Sequence, residues 1–461
     1  MYDLLIQGGR VVLPGSTVEA DLGVTGEVIG AVGLPGALGD ARRRIDARGL
    51  YVMPGGIDPH VHLRWAPIPE GPAGVHASTL SAACGGTTTV LDFATQGQGE
   101  SLLGTVRKRL ALAEGRMAVD YGLHCLVTNA TPQVLTELGA LVEAGVSSFK
   151  VMTAYRKIKW MLEDGAIYAV MAEAARCGAL VGVHAENEDL IESATRNLLA
   201  QGKTGAENYG AGRPALAEGE AVRRTIYLAR KAGAPLYVFH VTTRDGLEAV
   251  QQAQLEGQAV YGETCPHYLT FTDEVFQRPE PRLFSVIPPP RTEADQQALW
   301  AGIQGPLSCI GSDDAMRTVA DKQQGDTFDQ IPMGLAGMET RIPILYSEGV
   351  ARGRITINRM AELTATGPAR VFGLYPRKGI IAPGSDADLV LLDPSIRKKI
   401  RIVDLHQPND YTVYEGRDVE GYPVMTILRG EVIVEQGQPV ETKARGRFVP
   451  RLPFRSETAS G

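Results

Sequence analysis

His60 and His62 stand two residues apart in Gly55-Gly56-Ile57-Asp58-Pro59-His60-Val61-His62-Leu63, at the end of an apolar run that begins Leu50-Tyr51-Val52-Met53. In an extended strand, residues i and i+2 share a face, so both imidazoles can turn toward one ion. Imidazole suits borderline divalent metals, and the C-terminal end of a strand is where an α/β barrel keeps its chemistry. Alone, the pair reads equally well as two histidines in a turn. Four more polar residues lie on or just beyond other apolar runs: Lys150 in Ser148-Phe149-Lys150-Val151-Met152, His184 in Val181-Gly182-Val183-His184, His240 after Phe239, and Asp313 after Gly311-Ser312. Singly, His184 reads as a core histidine and Asp313 as a turn cap. Together they read as a site.

Lys150 is the odd member, because an ammonium with a reference pKa of about 10.4 repels metal and is costly to bury. Two readings stay open. It forms a salt bridge to Asp313 or another acid, or its amine condenses with carbon dioxide to give a carbamate whose two oxygens can bridge two cations. With a carbamate, four imidazoles and an aspartate, the set suits a pair of Zn2+ ions, with Mn2+ or Co2+ as alternatives. Two ions about 3.5–4 Å apart can bridge a hydroxide at neutral pH, polarise an amide carbonyl and clamp the oxyanion. Asp313 would take the hydroxide proton and return it to the leaving nitrogen. Tyr155, in Met152-Thr153-Ala154-Tyr155, is expected to donate to the oxyanion, its plainer role being a packed loop aromatic.

The elements that must position these groups alternate short apolar runs with helical patterns, the signature of βα units on a parallel sheet. Eight strands are expected: Leu50 to Leu63, Thr87 to Asp92, Ala118 to Val127, Ser147 to Met152, Leu180 to His184, Pro235 to Val241, Gln258 to Glu263 and Leu307 to Ser312. Helical stretches such as Ser101 to Glu114 and Glu218 to Lys231 lie between them. Eight alternations predict a closed (β/α)8 TIM barrel over residues 51–379. Both ends of the chain read instead as short strands split by Gly and Pro, so residues 1–50 and 380–445 are expected to build one small β-sandwich domain, with 446–461 as a tail.

Composition narrows the class. The 461 residues carry a formal charge of −7, and no unbroken basic run is longer than Arg42-Arg43-Arg44, which argues against nucleic acid as a partner. Five scattered cysteines without a Cys-x-x-Cys pair read as reduced thiols, and the first residues enter a strand pattern with neither an apolar leader nor a membrane span. A cytoplasmic enzyme is the expectation.

These residues resemble the cyclic amidohydrolases, specifically the hydantoinase/dihydropyrimidinase family, whose relatives include allantoinases and dihydroorotases. The likeness covers nearly the whole chain. It rests on Gly56 to His62, Phe149-Lys150-Val151, Val183-His184-Ala185-Glu186, Phe239-His240-Val241-Thr242 and Gly311-Ser312-Asp313. Gly85-Gly86-Thr87-Thr88, Gly262 to Leu269, Phe372 to Gly379 and Asp410 to Gly416 agree as well. The resemblance implies a binuclear zinc barrel with carbamylated Lys150 and metals on His60, His62, Lys150, His184, His240 and Asp313. It also implies a homotetramer or homodimer that opens small cyclic ureides or imides to carbamoyl or amide acids. Dihydroorotase or allantoinase activity is the neighbouring alternative, and a non-catalytic scaffold the alternative of another class; a scaffold is expected to lack ligands, and none is missing.

Departures from the family bear on substrate. Asp314 follows Asp313 where His is usual, Met333 stands where Asn is usual in Ile331-Pro332-Met333-Gly334, and Ile287 precedes Pro288-Pro289-Pro290-Arg291 where Ser or Asn is usual. Ile287 and Met333 are expected to meet the ring through backbone groups. Arg64, in His60-Val61-His62-Leu63-Arg64, resembles the dihydroorotase arginine that receives a carboxylate; here it is expected to read an acidic substituent or to pair with Asp314. Arg64→Ala is accordingly expected to lower kcat/KM on substrates with acidic substituents. Unchanged efficiency on every substrate removes both roles.

Overall fold

The computed structural model describes residues 1–63, 72–440 and 443–454; Arg64 and Trp65 lie outside them. The chain opens with strands β1 (Tyr2–Leu13), β2 (Ser16–Thr25), β3 (Val28–Gly33), β4 (Ala41–Asp46) and β5 (Tyr51–Pro54). Gly8 and Gly9 do not split β1 into two short strands, because the chain bulges between Ile6 and Gly9, where Gly8 takes φ 67°. A left-handed residue costs glycine nothing, so pairing resumes after the bulge.

Eight parallel strands follow in sequence order: β6 (Gly56–Val61), β7 (Thr87–Thr95), β8 (Asp120–Leu126), β9 (Ser148–Met152), β10 (Leu180–His184), β11 (Leu236–Val238), β12 (Val260–Thr264) and β13 (Leu307–Ile310). Helices such as Leu102–Ala113, Pro132–Glu143, Asp164–Cys177, Ala215–Ala232 and Arg244–Leu255 lie between them. Leu138, Val170, Val222 and Val250 from these helices join Leu123, Val151, Val181 and Val238 from the strands in one core. This is a TIM barrel. Its edge strands β13 and β6 meet through side chains rather than a regular ladder: buried Arg341 donates to the carbonyls of Ile57 (3.1 Å) and Ile310 (2.8 Å), and Asp58 accepts the Ser312 N–H (3.0 Å).

The strand expected over Leu50 to Leu63 is two. Tyr51–Pro54 pairs with β1 and with β14 (Leu389–Lys399), and only Gly56–Val61 enters the barrel. Pairing of β14 with β15 (Asp418–Leu428), then β16 (Glu431–Glu435) and β17 (Gln438–Pro439), completes a nine-stranded mixed sheet from both ends of the chain. Leu4, Leu22, Val52, Leu391 and Ile427 form its core. Residues 446–454 run along the barrel: the Tyr121 N–H donates to Arg447 O, the Val449 N–H to Tyr121 O, and the Phe454 N–H to Gly178 O. No helix among the described residues is long and apolar enough to cross a membrane.

A buried ion cluster joins barrel and sheet. Lys378 donates to Asp120 (2.8 Å) and Asp388 (2.6 Å) and lies 3.0 Å from Asp386, while Arg429 bonds Asp120. The three acids are close enough to hold a metal, but the Lys378 ammonium already occupies their midst. Lys378→Met leaves buried carboxylates uncompensated, a loss of about 3–5 kcal/mol, to be read as a fall in the denaturant midpoint.

Candidate metal centre

At the C-terminal mouth of the barrel, β6 and the segment after β13 bring His60, His62 and Asp313 together. Their Nε2, Nε2 and Oδ1 atoms lie 3.2 Å (His60 to His62), 3.1 Å (His60 to Asp313) and 3.4 Å (His62 to Asp313) apart. Lys150, in the middle of β9, places Nζ 3.0 Å from His60 Nε2 and over the Phe93 and Phe239 rings. It makes no ion pair among the described residues, so the expected salt bridge to Asp313 is absent. On the far side, His184 at the end of β10 points Nδ1 at His240 Nε2, 2.9 Å away. The His60 and His240 rings, 5.4 Å apart, join the two halves.

The outer nitrogens are held. His60 Nδ1 lies 2.7 Å from Glu263, which also accepts from the Tyr237 hydroxyl (2.8 Å) and the His240 N–H (3.3 Å). His184 Nε2 lies 2.9 Å from Glu186, itself gripped by Arg213. Against the push of burial, Arg213 keeps Glu186 ionised, so that acid only accepts and puts the His184 proton on Nε2, leaving the Nδ1 lone pair facing the site; burial pushes Glu263 well above the usual carboxylate range. Sequence reasoning missed both acids. Glu186 was within reach of the i, i+2 argument, being two residues past His184. Glu263 ends β12 beside its neighbours in space, with no local signal.

Electrostatics follow burial. Burial drives His60 and His240 well below the ordinary histidine range, with Lys150 adding to it, so both are neutral donors of a lone pair. Burial pushes Lys150 down to about 8, against the pull of Asp313 and Glu263. Burial alone would raise Asp313, but His60, His62 and Lys150 hold it well below the usual carboxylate range. Inward lone pairs, an anionic carboxylate and a soft amine are a donor set that fits divalent metal.

Tyr155 packs its ring 5.0 Å from His184, and burial keeps its hydroxyl protonated. It takes φ 72°, with its N–H donating to Glu188 (2.9 Å). Tyr155, Ile287 and Met333 line one cavity of about 470 Å³ together with Ile158, Tyr209 and Phe328. His62 and Trp160 line a second, of about 370 Å³. Asp314, expected in the mouth, is elsewhere. Its carboxylate accepts from the N–H groups of Gly337 (2.8 Å) and Met338 (3.3 Å), its carbonyl accepts from the His62 N–H (2.6 Å), and burial pushes it up to about 7. It staples β6 to the segment after β13 instead of facing a ligand.

Residues 51–433 match the amidohydrolase family. The chain is 40% identical over 460 residues to a D-hydantoinase from Ralstonia pickettii, covering 98% of this chain and 100% of that one. It is 35% identical over 463 residues to a dihydropyrimidinase from Rattus norvegicus, covering 98% and 89%. A solved D-hydantoinase structure superposes with a TM-score of 0.94 at 39% identity, covering 98% and 100%. Glu263→Gln is expected to lower metal affinity roughly 10–100-fold without unfolding the chain, measured as metal per chain after dialysis alongside circular dichroism.

Proposed function

Because the chain belongs to the amidohydrolase family, in its hydantoinase and dihydropyrimidinase branch, we propose that it hydrolyses a ring C–N bond of hydantoins or dihydropyrimidines, giving N-carbamoyl amino acids. The observation that carries this reading is the meeting of His60, His62 and Asp313 within 3.4 Å, with Lys150 3.0 Å from His60 and carboxylates behind His60 and His184.

His60, His62, His184, His240, Asp313 and a carbamylated Lys150 would hold two divalent ions, zinc being the best match to these ligands. Such ions, when bound, supply Lewis-acid polarisation of the amide carbonyl and a water acidic enough to ionise at neutral pH. Lys150 supports the carbamate: its amine has no carboxylate partner, and its lowered basicity keeps more of it neutral and nucleophilic toward carbon dioxide. One N–C bond forms at the expense of a C=O π bond of carbon dioxide, and, counted from the ammonium, two protons leave as a buried cation becomes an anion. Asp313, held anionic, takes the proton of the attacking water and passes it to the departing ring nitrogen. Tyr155, kept protonated, donates to the carbonyl oxygen as negative charge gathers there.

The apolar wall of the larger cavity fits a ring substituent. Five unpaired cysteines, four of them buried, fit a reducing compartment such as the cytoplasm. A homotetrameric or homodimeric assembly rests on the resemblance alone.

The test is ring opening by zinc-supplemented protein across dihydrouracil, hydantoin, 5-substituted hydantoins of both configurations, allantoin and dihydroorotate. Turnover of hydantoins or dihydrouracil is expected. Lys150→Ala is expected to cost more than the roughly 10–100-fold typical of losing an outer-shell group. Activity on dihydroorotate or allantoin alone moves the chain to the neighbouring branch, and a metal-free inactive protein returns the scaffold reading.

A further inference from the structure

Lys322 is fully buried, yet among the described residues it makes no ion pair. It ends the short helix Val319–Lys322, which a Thr318 and Asp321 capping box starts. Burying an ammonium without a carboxylate is costly, and burial pushes this amine well below its ordinary value. An apolar side chain of the same length would avoid that cost. What sets the lysine apart is what its amine holds.

Nζ donates to the Ser285 carbonyl (2.6 Å) and to the Ser285 hydroxyl (2.8 Å). The same carbonyl accepts the Gly334 N–H (3.1 Å), and the same hydroxyl lies 3.1 Å from the Pro332 carbonyl. Gly334 takes φ 119°, and a Cβ there would strike the Ala315 carbonyl, so this backbone cannot shift freely. The Met333 carbonyl accepts from Arg317 Nε (2.9 Å). Ser285 lies two residues before Ile287, and Pro332 and Gly334 flank Met333. The amine therefore anchors Ser285, the residue through which the segment before Ile287 bonds the segment around Met333, and Ile287 and Met333 both line the cavity beside Tyr155.

We propose that Lys322 is a positioning residue that fixes the spacing of the Ile287 and Met333 walls, and through them the seat of the substrate ring. This rests on the cyclic amide reading above. A binding site loses its fit when its walls drift by more than about 0.5 Å, and the few bonds between these two irregular segments run through Ser285, which Lys322 holds in place.

Lys322→Met keeps the stem and removes the donors, while the Ser285 carbonyl retains the Gly334 N–H. Amide hydrogen exchange is expected to rise together in residues 283–290 and 331–336. KM is expected to rise about tenfold with kcat within about twofold, by the same factor for differently substituted rings, as loss of uniform ring binding requires. Adding Ser285→Ala is expected to cost less than the sum of the two single changes, since they share the bond from the Lys322 amine to the Ser285 hydroxyl. Lys322→Gln keeps a donor and is expected to fall between wild type and Lys322→Met; it also serves if the methionine variant does not fold. Unchanged exchange in either segment, or an unchanged KM with only a lower Tm, overturns the proposal, as does a fall in kcat at constant KM. Wild-type protein that opens no ring refutes the hydrolase reading, and the exchange experiment still decides the role of Lys322.

Discussion

The barrel depends on the Arg341 guanidinium. Seven of its eight strand junctions are backbone ladders, and the eighth, between β13 and β6, is bridged by one side chain bonded to a carbonyl on each strand. Asp58 and Asp314 reinforce the bridge, each accepting backbone N–H groups across or beside it. That junction carries His60, His62 and Asp313. Above the bridge the two segments meet again at a backbone bond, His62 N–H to Asp314 O (2.6 Å), and His60, His62 and Asp313 converge at this sparsely paired junction. The second acid after Asp313, which in sequence suggests a more negative mouth, belongs to this bridge.

The backbone records where the site was built. Seven non-glycine residues among those described take positive φ, and Tyr155, His240 and Asp313 are three of them. Each lies just past a strand, where the chain must leave the sheet and still aim a side chain back over it. Non-glycine residues bear this conformation at a cost of order 1–3 kcal/mol each and persist there only when their surroundings hold them. Glu188 on the Tyr155 N–H and Glu263 on the His240 N–H are those surroundings.

The alternation of apolar runs and helical patterns made the barrel legible, since every strand buried on both faces stands out against polar helix surfaces. The split at Gly55 was not legible in the same way, because the apolar run continues unbroken from one sheet into the other. That His60, His62 and Asp313 converge, and His184 with His240, could be read from their places at or just past strand ends, and Lys150 beside them from its place inside β9. Their outer partners could not, apart from Glu186, because pairing between separate strands leaves no trace in local spacing. Asp314 shows the reverse limit: next to Asp313 its charge suggests a place facing a ligand, whereas the cheaper use of a buried carboxylate is to accept orphaned backbone N–H groups.

Residues 446–454 seal the barrel beside β8, and β14 pairs with β5, so both ends of the chain complete structures begun hundreds of residues earlier. The nascent chain leaves the ribosome with β1 to β5 made and able to pair with one another, and with β14, the partner of the other β5 edge, not yet translated. Loop-closure entropy sets in before such distant contacts can repay it, which slows folding. The first strands wait with open edges until synthesis is nearly finished, a window in which a chaperone has a hydrophobic sheet margin to shield.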